Sequence, residues 1–141
     1  MQKDFAKVLK ANKDAPQKHR ELIAKWQKEG HIAELIQRYE TEEVNRANDA
    51  AFIYGLGYAY ALTDTKQNQN AEEKAIGYYE TALQLDPSLF WAHYSLGAIY
   101  QKQQKYDQAL TKFQTCLTLN PEYYPAHYLS LIHISEPTRP Y

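Results

Sequence analysis

The chain repeats itself, and no other feature restricts its fold so much. A fixed period of a few tens of residues marks a stack of like units, each too small to bury its apolar face alone. The segment Ile53-Tyr54-Gly55-Leu56-Gly57-Tyr58-Ala59-Tyr60 aligns with His93-Tyr94-Ser95-Leu96-Gly97-Ala98-Ile99-Tyr100, sharing the Leu-Gly pair and the closing Tyr. A second match follows at an offset of 34 residues: Ala75, Tyr79, Ala82 and Asp86-Pro87 against Ala109, Phe113, Cys116 and Asn120-Pro121. The first matches lie 40 residues apart. The difference falls in residues 63–70, a Thr, Asp, Lys, Gln and Asn stretch that reads as an extended loop. A fainter copy lies upstream. Trp26 answers to Tyr60 and Leu22 to Leu56, while Leu35 and Tyr39 take the places of Ala75 and Tyr79. Phe5 and Val8 keep the phase of a preceding second helix, and Pro125-Ala126-His127-Tyr128 begins a further unit.

The pattern within each unit is helical. Leu96 with Tyr100, and Leu110 with Phe113 and Leu117, recur at the spacing that places side chains on one face of an α-helix. Asp86-Pro87 and Asn120-Pro121 end second helices, because proline removes a donor and drives the residue before it out of helical geometry. Gly30 marks a turn between helices. Asn70 with Glu73 reads as a capping box. Gly57 and Gly97 sit mid-helix, where each costs about 0.5–1 kcal/mol relative to alanine. Their return at the same place in two units implies that another helix passes close over each, with Ala75, Ala82, Ala109 and Cys116 as the facing small surfaces.

These residues resemble the tetratricopeptide repeat, whose first helix runs aromatic-x-x-Leu-Gly-x-x-Tyr and whose second runs Ala-x-x-x-Phe/Tyr-x-x-Ala before a proline. The unit ending at Pro121 matches nearly throughout, with His93 where the family prefers Trp. The first full unit departs more: Ile23 replaces the glycine, Leu35 and Glu42 replace small residues, and Ala47 replaces the proline. The resemblance implies an all-α fold, a right-handed superhelical solenoid of antiparallel helix pairs with about three repeats plus flanking half-repeats. The expected organisation is a half repeat at 1–15, a degenerate repeat at 16–49, a repeat with a loop insertion at 50–89, a repeat at 90–123 and the start of the next at 124–128.

At 129 the repeat should deliver Leu-Gly and then Tyr. Instead residues 129–139 read Leu-Ser-Leu-Ile-His-Ile-Ser-Glu-Pro-Thr-Arg, which resembles a translated transposase sequencing adapter. Residues 129–141 are therefore expected to be a non-native tail, and the chain a fragment of a longer repeat array.

Composition removes several function classes. The net charge of −1 gives no electrostatic reason to expect nucleic acid or an anionic membrane. No apolar run suits a secretory leader or a bilayer span, so membrane insertion of this segment is not expected and the compartment leans cytoplasmic. One cysteine, Cys116, cannot form an internal disulfide or a cysteine-built zinc site. His19, His93 and His127 hold equivalent places in their units, so they should spread along the stack and not converge on a metal. No phosphate-binding glycine loop, zinc-protease motif or serine elbow is present. Neither a catalytic residue nor a cofactor is expected.

What stands out is aromatic content, with 13 Tyr and 2 Trp. The resemblance implies that Arg20, Tyr54, Tyr58, Leu62, Trp91, Tyr94, Gln101 and Tyr128 look into a concave groove lined by first helices. Rings of this kind offer wide, rigid contact at low entropy cost. The places where one family subtype clamps a terminal carboxylate hold Arg20, Ala24, Gly55, Trp91 and Ser95 here, so no carboxylate clamp is expected. The reading is a protein–protein interaction scaffold whose groove takes a peptide or partner helix, apolar or aromatic in character and not strongly acidic. Two alternatives stand beside it: a regulatory or substrate-recruiting arm of a larger enzyme, and a purely architectural array in a multiprotein complex.

Overall fold

A computed structural model describes residues 2–10, 15–64 and 70–122. Tyr128, His127, most of the loop insertion and the whole of 129–141 lie outside the described residues. The chain divides into two compact units, residues 1–87 and 88–141. The first holds α1 (Gln2–Leu9), α2 (Ala15–Lys28), α3 (Ile32–Glu42), a 3-10 turn (Val44–Arg46), α4 (Ala50–Ala61) and α5 (Ala71–Leu85). The second holds α6 (Phe90–Lys102) and α7 (Tyr106–Leu119). Every regular element among the described residues is helical. Within the first unit α1 packs on α2, α2 on α3, α4 on α5, and the successive first helices α2 and α4 on each other; α6 packs on α7 in the second.

The helix ends follow from local chemistry. Gly30 takes φ +83°, its N–H donates to the Gln27 carbonyl at 3.1 Å, and the His31 N–H reaches the Trp26 carbonyl at 2.8 Å. This double closure is the Schellman stop, for which glycine is favoured. Gln104 ends α6 by the same pattern at φ +64°, with Lys105 N–H on the Tyr100 carbonyl at 2.8 Å. The proline stops are formed as well: α5 ends at Leu85 and α7 at Leu119, with Asp86 and Asn120 extended ahead of their prolines.

One cap differs from the sequence reading. Asn70 stands at the N-cap of α5, yet its side chain makes no capping bond, so the capping box does not form there. The capped helix is α4, where Asp49 Oδ1 accepts from the Phe52 N–H at 3.1 Å. Arg46 ties this cap to α1, donating to the Leu9 carbonyl at 2.8 Å and to Asp49 Oδ2 at 3.4 Å. A cation at the last carbonyls of a helix satisfies orphan acceptors and complements the dipole.

The repeated glycines sit at close helix contacts. A Cβ built on Gly57 would stand 2.9 Å from the Tyr79 ring, and one on Gly97 only 2.7 Å from the Phe113 ring. Both rings are fully buried. Helices α2 and α3 make a different contact. Helix α2 carries fully buried Ile23 in place of the glycine. The ring of Tyr39 instead leans toward α4, where a Cβ on Gly55 would meet it at 3.1 Å and the His19 ring at 2.8 Å. Gly55, two residues before Gly57, thus leaves room for the His19 and Tyr39 rings. Helix α4 is buried nearly all round, which explains its almost unbroken apolar sequence. No helix among the described residues is long and apolar enough to cross a membrane.

Candidate partner-binding surfaces

In the first unit the site is built where α2 meets α4. Arg20 and Tyr54 hold equivalent places in successive first helices, 34 residues apart, and the Arg20 guanidinium donates to the Tyr54 hydroxyl at 2.6 Å. The same guanidinium lies 4.6 Å from the centroid of the Tyr58 ring. Tyr54 stacks in turn on Tyr58 at 6.1 Å and on Tyr79 at 5.3 Å. Arginine is therefore held between a hydroxyl and a π face. It remains charged with its planar fork oriented, and such a cation–π contact contributes about 0.5–1 kcal/mol at an exposed site, more when desolvated.

The residues expected to touch a partner do not share one role. Arg20, Tyr58 and Leu62 are half-buried and keep surface open to solvent. Tyr54, expected as a groove contact, is fully buried. Its ring stacks on Tyr58 and Tyr79 and its hydroxyl accepts from Arg20, so it acts as the post that orients Arg20 and Tyr58. In the second unit Trp91, Tyr94 and Gln101 on α6 are half-buried. Trp91 meets Tyr94 edge-on at 5.4 Å and Phe90 edge-on at 5.1 Å, while Tyr94 packs on Phe113 at 5.9 Å. Phe113 is the ring that covers Gly97, so the contact that closes the helix pair also fixes the exposed aromatics. Tyr128 lies outside the described residues.

The titratable groups lie in packed surroundings. His19 is 2% exposed, and its Nδ1 sits 2.7 Å from the Tyr39 hydroxyl. Burial lowers its pKa to about 4, with Asp49 opposing and Arg46 adding to the shift. Burial likewise pushes the Cys116 thiol up to about 12, and its Sγ lies 3.8 Å from the Phe90 carbonyl. A thiol so placed is inert, as expected of a small-residue position on a second helix. No group of three or more metal-ligating side chains is present among the described residues. A second polar array joins α3, α4 and α5: Tyr60 donates to Glu40 at 3.1 Å and Tyr78 to Glu43 at 3.4 Å, with the two rings stacked at 5.8 Å. The repeat pattern marks Tyr60 as a helix-closing residue but carries no sign of these acidic partners, because each bond spans helices whose rotation is set by packing.

A family model described as "Tetratricopeptide repeat" matches residues 90–123, and one described as "TPR repeat" matches residues 66–104. No curated protein matches the chain. Among solved structures, the crystal structure of MamA is similar at a TM-score of 0.60 and 24% identity, covering 84% of this chain and 66% of that one. A MamA RS-1 double mutant is similar at a TM-score of 0.61 and 22% identity, covering 86% of this chain and 64% of that one. The chain thus spans a little under two thirds of the MamA chains it resembles, and the likeness is one of fold.

Proposed function

The chain carries tetratricopeptide repeats, and from that premise we propose that it is a protein–protein interaction scaffold whose first-helix faces hold an apolar or aromatic peptide or partner helix. The observation that carries this reading is the set of half-buried rings on first helices. Tyr58 is held beneath Arg20 in one unit, and Trp91 is braced by Phe90 and Tyr94 in the other. Rings that already sit in fixed rotamers lose little entropy when a partner covers them, which favours binding. Arg20 adds a fixed donor at the rim of the apolar face, suited to a backbone carbonyl or a single polar side chain.

The test is selection of binding peptides from a random displayed library on the intact chain, followed by titration of the winners. The expected result is enrichment of Leu-, Phe-, Tyr- or Pro-containing sequences whose affinity falls about tenfold or more in Tyr58→Ala or Trp91→Ala, with helical content retained. Winners that bind both variants as tightly as the original chain would remove the first-helix faces from the proposal and favour a purely architectural array.

A further inference from the structure

The cleft between α1 and α2 is a separate feature with a different chemistry. It encloses about 430 Å³ and is lined by Asp4, Lys7, Val8, Lys10, Lys18, Glu21, Leu22 and Lys25. That volume falls within the usual range for ligand pockets, roughly 300–1,000 Å³. Leu22 is buried and Val8 half-buried, and the four lysines are exposed. Lys25 is engaged by Asp4 at 3.2 Å, whereas Lys7, Lys10 and Lys18 have no ion-pair partner among the described residues. The cleft is therefore an apolar base under a rim of four lysines and two carboxylates, and three of those lysines have no ion-pair partner among the described residues.

We propose that this cleft docks an acidic peptide segment carrying an apolar anchor. Charge complementarity selects the partner. Residues 1–28 hold eight Lys and Arg against three Asp and Glu, in a chain whose whole net charge is −1. The basic excess is thus concentrated at this end, and the remainder of the chain is acidic. Uncommitted ammonium groups in excess around a low-dielectric base attract carboxylates and raise the rate of encounter. Long lysine stems can also cover an apolar side chain seated between them.

The same residues decide against other anionic occupants. The apolar base of Val8 and Leu22 offers a phosphodiester backbone nothing to fill it, whereas a peptide can seat an apolar side chain there. A second folded copy needs roughly 800 Å² of buried surface on each partner. A concave cleft between two short helices suits a few anchoring side chains better than a flat domain face.

This surface is distinct from the Arg20 face. Residues 18, 22 and 25 recur one and two turns apart along one side of α2, and Arg20 lies about 200° round the helix from Lys18. The two docking modes can therefore fail independently.

The experiment uses the whole chain and a fluorescein-labelled peptide of glutamates with two leucines one helical turn apart, read by anisotropy at low and high salt. The expected result is saturable binding that weakens about tenfold or more in the Lys7→Glu, Lys18→Glu double variant and weakens with added salt. Both lysines are exposed, so helical content should be unchanged in that variant. Binding should also fall when the two leucines of the peptide are replaced by serine, and should survive Arg20→Ala and Tyr58→Ala. Absence of binding, equal binding by the double variant, or tighter binding of a duplex DNA oligomer of the same charge would each overturn the proposal. So would concentration-dependent dimers of the chain alone that the double variant abolishes, because a second copy would then be the occupant.

Discussion

Arg20 and Tyr54, 34 residues apart and at equivalent places in successive first helices, are joined by a 2.6 Å hydrogen bond from guanidinium to phenol. The bond couples the stacking of two repeats to the orientation of the half-buried Tyr58 ring. Tyr54→Phe keeps the ring and removes the acceptor, so it should cost about 1.5–3 kcal/mol in urea unfolding, the range for a hydrogen bond to a charged group. It should also weaken a peptide selected on the Tyr58 face, though less than Tyr58→Ala does. If Tyr54→Phe alters neither stability nor affinity, the bond is incidental to both.

Glycines that look alike in sequence should respond in opposite directions. Gly97→Ala forces a Cβ to within 2.7 Å of the Phe113 ring, and the buried ring has nowhere cheap to go. Overpacking should outweigh the better helix propensity of alanine, for a net loss of about 1–3 kcal/mol. Gly77 in α5 has nothing within 4 Å of its would-be Cβ, so Gly77→Ala should gain about 0.5–1 kcal/mol. A thermal melt of Gly97→Ala that rises or stays unchanged would refute the helix contact at Gly97, and a lowered melt of Gly77→Ala would refute the open space at Gly77.

Gln104 after α6 holds the left-handed place that Gly30 fills after α2, at φ +64° against +83°. A side chain there costs about 1–2 kcal/mol from contact between Cβ and the carbonyl. Gln104→Gly should recover about 1 kcal/mol, and Gly30→Ala should lose about as much. Differential scanning calorimetry decides both, and a destabilised Gln104→Gly would show that the Gln104 side chain contributes more than its strain costs.

His19 gives the fold a pH dependence whose sign is set by burial. Its folded pKa is lowered from 6.5 to about 4, so between those values the unfolded chain binds the proton and the folded chain does not. The stabilisation is complete above about pH 6.5 and declines as pH falls toward 4, with a slope of up to about 1.4 kcal/mol per pH unit. His19→Gln, which cannot titrate, should be less stable at neutral pH and flatter across this window. Urea midpoints at several pH values measure it; parallel profiles for the two proteins would assign the slope to other groups.

Much of this architecture is written locally. The 34-residue period, the stops at Asp86 and Asn120, the turn at Gly30 and the close contacts at Gly57 and Gly97 are each legible in a few adjacent residues. Proline geometry, left-handed φ and helical periodicity act over one or two turns of chain, so sequence alone settles them. The tertiary structure decided the rest. Tyr54 reads as a groove residue by its place in the repeat, yet the packing of α4 buries it. Ile23 replaces a glycine of the repeat pattern and is fully buried, while Gly55 on α4 is the position that lies against His19 and Tyr39. Arg46 reaches the Leu9 carbonyl across 37 residues, and the lysines of α1 and α2 become one cleft only when the helices pair. These relations depend on how far each helix is rotated about its axis. That rotation is fixed by the sum of many small packing contacts, which no single stretch of sequence contains.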